Sequence, residues 1–279
     1  MTFSFIIALP AGCNGPREDK PVWEQIKLSD LVPSDRAKGP SGQLLKTINF
    51  DVHIFEMPAE KLRELDGVWE QLYMEPLRFS NYATFGANTF SVGFGQIQIW
   101  NTIAERLDAA GVKKMPTVSL LLADGQAGDV TVVRFFRRQP LYYISPGGLI
   151  ERPTIGPGKL ALRVRARKIP GARGVCYVEV HPVFSPPISS SVPQLADRAK
   201  AGELPFIAAG FGLKMSQGDF FLLGPEEYIS DQVTLGSLFF SKPEGSLFFR
   251  KSEAGSSIRR PERKPAVRIF LVVCTSINI

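Results

Sequence analysis

The chain has 279 residues, 44% of them apolar and 22% charged, with 33 Lys and Arg against 27 Asp and Glu for a net charge of +6. That composition belongs to a folded protein of one large or two small domains, not a disordered chain. No run approaches the ~18 uninterrupted apolar residues of a membrane-spanning helix. The mild basicity suits an anionic surface such as phospholipid headgroups and does not by itself argue for nucleic acid.

In chain order, the first signal is Phe3 to Leu9, a short apolar run that leads into Ala11-Gly12-Cys13 and then abruptly into Asn14-Gly15-Pro16-Arg17. This resembles the end of a bacterial lipoprotein signal, in which the cysteine is lipidated and becomes the mature N-terminus. It implies residues 1–13 as a signal, lipidation of Cys13, and a membrane-anchored location in the cell envelope, on the periplasmic side or at the outer membrane. Residues 14–44 are rich in Gly, Pro, Ser and charge and read as a linker.

A domain is expected over 45–279. Ile48, Phe50, Val52 and Ile54 alternate with polar residues as in a half-buried strand. Leu62, Leu65, Val68, Trp69 and Leu72 recur at helical spacing, Thr89 to Phe94 reads as a strand, and Trp100, Ile103, Ala104 and Leu107 mark a second amphipathic helix stopped by Gly111. Residues 45–114 thus read β-α-β-α, with Leu62, Leu65, Trp69, Leu72, Trp100, Ile103 and Leu107 buried and both helices on one sheet face.

From 115 to 279 strands dominate. Met115 to Ala123 ends in Asp124-Gly125, a hairpin signal. Strands are expected over Val130 to Tyr143, Leu160 to Lys168, Gly174 to Phe184, Phe206 to Met215, Phe220 to Leu223 and Val267 to Thr275, with a helix over Val192 to Ala201 and a loop over Glu253 to Lys264. Gly236-Ser237-Leu238-Phe239-Phe240 recurs as Gly245-Ser246-Leu247-Phe248-Phe249 across a Pro-containing turn, which predicts a β-hairpin partly covered by other subunits or a membrane. The fold class is α+β, an N-terminal β-α-β-α part followed by a long, mostly antiparallel β region.

Several of these segments resemble the bacterial secretin domain: Phe50 to Met57 before the first helix, Leu121 to Ala127, Leu160 to Val164 with Val178 to Phe184, Gly218 to Gly224, Leu235 to Phe240, and Ala266 to Val273. The resemblance implies a shortened or degenerate relative whose strands complete a sheet or barrel wall shared between copies of the chain.

No catalytic motif stands out. His53 and His181 each sit in a strand pattern without a second ligand at metal spacing, so no metal site is expected. Ser91 and Ser119 lack a nucleophile elbow. Gly93-Phe94-Gly95 lacks the remaining glycines of a phosphate loop and reads as close backbone packing. Arg134-Phe135-Phe136-Arg137-Arg138 and Arg163 to Lys168 could stack and pair with nucleic acid. In the second run, however, Arg163, Arg165 and Arg167 alternate with Val164 and Ala166 as on a strand with one solvated face. Cys176 and Cys274 lie in strand-like runs and are either a disulfide, in an oxidising compartment, or two buried thiols. The reading is a non-catalytic envelope lipoprotein with a structural or assembly role. It has no cofactor and no nucleic-acid partner, and it contacts copies of itself or an envelope protein through strand edges. The alternative is a periplasmic small-ligand binder or enzyme with its site between the two helices and the sheet.

Overall fold

The computed structural model describes residues 46–187, 202–228, 233–242 and 265–278. Cys13, the linker, the expected helix over Val192 to Ala201, the loop from Glu253 and the second Gly-Ser-Leu-Phe-Phe segment lie outside the described residues.

Two antiparallel sheets face each other. The first joins β2 (Phe90–Gly95), β8 (Phe220–Pro225), β9 (Ala266–Asn278) and β1 (Thr47–Pro58) in that order, with β3 (Val118–Ala123) and the short Lys113–Lys114 strand on the far side of β1. The second joins Arg78–Phe79, β7 (Phe211–Ser216), β6 (Val175–Ser185), β5 (Gly158–Lys168) and β4 (Ala127–Phe135). The class is α+β with strands predominating. The parts read as 45–114 and 115–279 of one domain share the first sheet, in which β1 and β2 lie with β3, β8 and β9.

Period-two alternation sorts the side chains of the first sheet into two layers. Ile48, Phe50 and Val52 of β1, Phe221 and Leu223 of β8, and Phe270, Val272 and Cys274 of β9 face the second sheet. They meet Leu160, Leu162 and Val164 of β5 and Cys176, Val178 and Val180 of β6 in one core. Phe55 and Met57, Phe220 and Leu222, and Ile269, Leu271 and Val273 face the other way. Against them pack a 3-10 segment (Ala59–Leu65), α1 (Asp66–Trp69) and α3 (Trp100–Ala109). Leu65, Leu72, Trp100, Ile103 and Leu107 are buried there, while Leu62 and Trp69 are partly buried against the same cluster. Core side chains fill the middle of the space where the alternative reading places a ligand site, and a cleft of ≈ 350 Å³ remains at its edge, lined by Leu62, Arg63, Asp66, Trp69, Ser91 and Glu226.

Three expectations are corrected. The first helical stretch is mostly 3-10, not α. Its Leu62, Leu65 and Val68 spacing of three suits the three-residue turn of that helix. Asp124-Gly125 does form a turn, with Gly125 at φ +76°, but β3 pairs with β1 and β4 with β5. The turn is a corner between sheets, not a hairpin. Finally, Leu235–Phe240 is a helix, α4, not a strand. Thr234 accepts from Ser237 N while the Ser237 hydroxyl accepts from Thr234 N, a capping box that commits the segment to a helix. Leu238, Phe239 and Phe240 are buried within this chain against Phe90 and Phe270, so no second subunit is needed to cover them.

Candidate functional site

The two basic runs singled out in the sequence meet on the outer face of the second sheet. Alternation turns Leu160, Leu162, Val164 and Ala166 of β5 inward and Arg163, Arg165 and Arg167 outward. Register places Arg163 opposite Asp129 on one side and His181 on the other, and Lys159 opposite Arg134 and Ser185. A groove of ≈ 660 Å³ opens here between the charged face, Gly158 and the Pro186-Pro187 exit from β6. Phe136 at its rim is 81% exposed.

The central cation is spent. Arg163 Nε donates to Asp129 Oδ1 at 2.7 Å and Nη2 to Oδ2 at 3.0 Å. Its Nη1 donates to Glu203 Oε2 at 2.7 Å and Nη2 to Oε1 at 2.9 Å. The Ser185 hydroxyl adds a bond to Glu203 at 2.9 Å. Burial works to raise the Asp129 carboxyl, but the hydrogen bonds and charge of Arg163, helped by Lys159, hold it below the ordinary carboxylate range. Glu203 is held down chiefly by its Arg163 hydrogen bond, against a smaller burial effect. A guanidinium forked between two carboxylates ties β4, β5 and the segment before Phe206 together, and it has few donors left for a ligand.

His181 stands beside this clamp. Burial, then the charges of Arg163 and Arg165, push its imidazole below the ordinary 6.5, with Glu179 and Asp129 opposing. The backbone of Gly210 closes over its Cβ. The folded state thus binds fewer protons at His181 than the unfolded chain does. Stability from this group is complete above pH 6.5 and declines as the pH falls below it. In urea titrations between pH 7 and about pH 5, His181→Gln should lose less stability than the wild type. Parallel pH profiles of the two proteins would sink the assignment.

Of the other residues considered for chemistry, His53 and Ser119 have hydrogen-bond partners. His53 Nδ1 shares a 2.9 Å hydrogen bond with the Thr117 hydroxyl. Ser119 donates to Asp51 at 2.6 Å, and Ser91 lies on the edge strand β2. Gly93 and Gly95 admit Leu72 and the Phe220 ring directly onto the β2 backbone, where any Cβ would collide with them. Cys176 and Cys274 are both free and fully buried. Among the described residues no three His, Cys, Asp or Glu side chains converge as a metal site requires, and no helix is long and apolar enough to cross a membrane.

A second cleft, ≈ 510 Å³, lies between α2 (Tyr82–Ala87) and Tyr142 to Ile144, near Ile150 and Thr234. Sequence reasoning gave no sign of it, because its walls come from distant segments. Its Asn88 and Tyr143 side chains are also engaged. Asn88 Nδ2 donates to the Thr84 and Ile144 carbonyls, its Oδ1 accepts from Ile144 N, and the Tyr143 hydroxyl bonds Glu151 at 2.5 Å.

No family model, no curated protein and no solved structure matches this chain. Function therefore has to be argued from the chain's own surfaces. One of these stands apart from the spent charge clusters. Strand β3 is hydrogen-bonded to β1 along Val118–Ala123, and among the described residues no strand pairs with its other side. Leu120 and Leu122 anchor it in the inter-sheet core, while Leu121 on the opposite face is 64% exposed. A rigidly held strand with an open edge and an exposed leucine is a template for another strand.

Proposed function

We propose that this protein is a non-catalytic structural or assembly module of the cell envelope. In this reading it is carried at a membrane by lipid on Cys13, spaced from it by residues 14–44, and paired through the open edge of β3 with a second copy or an envelope partner. The observation that carries the reading is that edge, anchored by Leu120 and Leu122 and presenting Leu121. A non-catalytic role is supported by two of the clefts, whose Arg163, Asp129, Glu203, Asn88 and Tyr143 are engaged with neighbouring side chains or backbone rather than aimed at an open position. The order of secretin-like segments supports an envelope role. Burial of Leu238 to Phe240 within the chain favours a module that completes its own core before it assembles.

The test has two arms. Cys13→Ser should leave the body folded and release it from membranes. The released protein should show, by light scattering, a mass above that of one chain, and adding Leu121→Lys should reduce it to one chain by placing a charge on the pairing edge. Membrane retention of the Cys13→Ser protein would refute the anchor. A one-chain mass at every concentration, with no envelope protein cross-linked at β3 in cells, would refute the assembly role.

A further inference from the structure

We propose that Cys176 and Cys274 are joined in the mature protein by a disulfide that staples the two sheets together, formed by exchange with a small-molecule or protein disulfide as the chain folds. Cys176 belongs to β6 in the second sheet and Cys274 to β9 in the first, and both lie in the inter-sheet core with 0% exposure. Facing sheets ordinarily stand about 10 Å apart, too far for a disulfide, whose Cα atoms lie about 4.4–6.8 Å apart. Here a corner draws the sheets together. The chain leaves β7 at Ser216 and enters β8, in the other sheet, at Phe220, turning through Gly218 at φ +85°. Cys176 is in register with Met215, the penultimate residue of β7. Gly218 N donates to the Cys274 carbonyl at 2.8 Å, and Cys274 N donates to the Asp219 carbonyl at 2.9 Å. Each cysteine therefore flanks the same crossing, one on each sheet.

The side chains complete the approach. The Cys176 thiol donates to the Met215 carbonyl at 3.5 Å, on the strand that leads into the turn to which the Cys274 backbone is hydrogen-bonded. Two aliphatic side chains would fill this space equally well. What the arrangement adds is two thiols in one core cluster, flanking one crossing between sheets whose strand registers are fixed on either side. In the exchange, one cysteine thiolate attacks a sulfur of the external disulfide, giving a mixed disulfide and one released thiol. The second cysteine then attacks the mixed disulfide, giving the Cys176–Cys274 bond and a second released thiol. The two protons lost by the cysteines end on the two released thiols, and the two electrons lost by the cysteines reduce the external disulfide. In the closed fold the hydrogen bond to Cys176, then burial, raise the Cys274 thiol far above its ordinary range. Thiolate chemistry is thus confined to the stage before the sheets close.

The test uses the full chain with Cys13→Ser, refolded once in a buffer containing oxidised glutathione and once under reductant. After oxidative refolding and denaturation, iodoacetamide should label neither cysteine until reductant is added. Peptide mapping without reduction should recover Cys176 and Cys274 in one linked fragment. The oxidised protein should melt about 10 °C above the reduced one, since the bond closes a loop of about a hundred residues. The same chain with Cys176→Ala and Cys274→Ala should melt identically in both buffers, which separates the bond from any other effect of reductant. Labelling of both cysteines after oxidative refolding, or linkage of each to glutathione rather than to the other, overturns the proposal. Neither outcome bears on the Cys13 anchor or the β3 edge.

Discussion

Replacing Glu56 with Ala should cost about 3 kcal/mol of folding stability, the low end of what breaking a buried ion pair costs. Glu56 sits near the end of β1 and turns into the inter-sheet layer with only 7% of its surface exposed. Its Oε1 accepts from Arg268 Nε and Nη2, both at 3.1 Å, and its Oε2 accepts from Lys242 Nζ at 2.7 Å. Arg268 is its direct cross-strand neighbour on β9 and also donates to the Val132 carbonyl of β4, in the other sheet, at 3.0 Å. Lys242 follows α4 and is bound to Ala266 through its backbone. One carboxylate thus holds two strands of the first sheet, an edge of the second, and the end of a helix. Without it, two cations face each other with no counter-charge, and Arg268 has lost most of its partners in a poorly solvated site. Lys242 is partly exposed and can turn to water, which is why the low end is expected. Glu56→Gln keeps the shape and some acceptors, so its loss should be smaller. Urea denaturation at pH 7 measures both. A loss under about 1 kcal/mol for Glu56→Ala would place the triad with surface ion pairs.

That triad also marks where the sequence stops being readable. Alternation in Ile48 to Ile54 and in β5 identified strands and their inward faces, because a side-chain period of two survives any tertiary context. Helical spacing through Trp100, Ile103 and Leu107 did the same for α3, and Gly111, at φ +70°, stops it as expected. Pairing between distant strands leaves no such trace. Nothing local links Glu56 to Arg268, or Asp129 and Glu203 to Arg163, since cross-strand partners are chosen by register across the whole chain. The segment Leu235 to Phe240 failed for a different reason. Short apolar runs fit a buried strand and a buried helix alike, and what decides between them here is the capping box of Thr234 and Ser237. The open edge of β3 was likewise invisible, because whether a strand is central or terminal depends on where every other strand goes.

Trp100→Ala should be the most damaging single truncation in the helical layer, at about 3–5 kcal/mol. Trp100 opens α3 and is 2% exposed. Its ring stands edge-on to Phe220, with centroids 5.8 Å apart at 83°. Phe220 in turn lies over Gly95, where the absence of a Cβ lets the ring rest on the β2 backbone. The indole is therefore the outermost part of a stack that runs from helix through β8 to β2, and α3 has no other aromatic ring in that contact. Truncation leaves a void that neither the helix nor the sheet can close, because Ile103 and Leu107 already fix the helix on the same face. Trp100→Phe should lose less, as it keeps a ring against Phe220 and removes less volume. Guanidinium titrations of the three proteins should rank wild type above Trp100→Phe above Trp100→Ala at unchanged slope. A Trp100→Ala midpoint matching that of a surface substitution would mean that α3 is held by its C-terminal half alone and that the first turn is free to lift from the sheet.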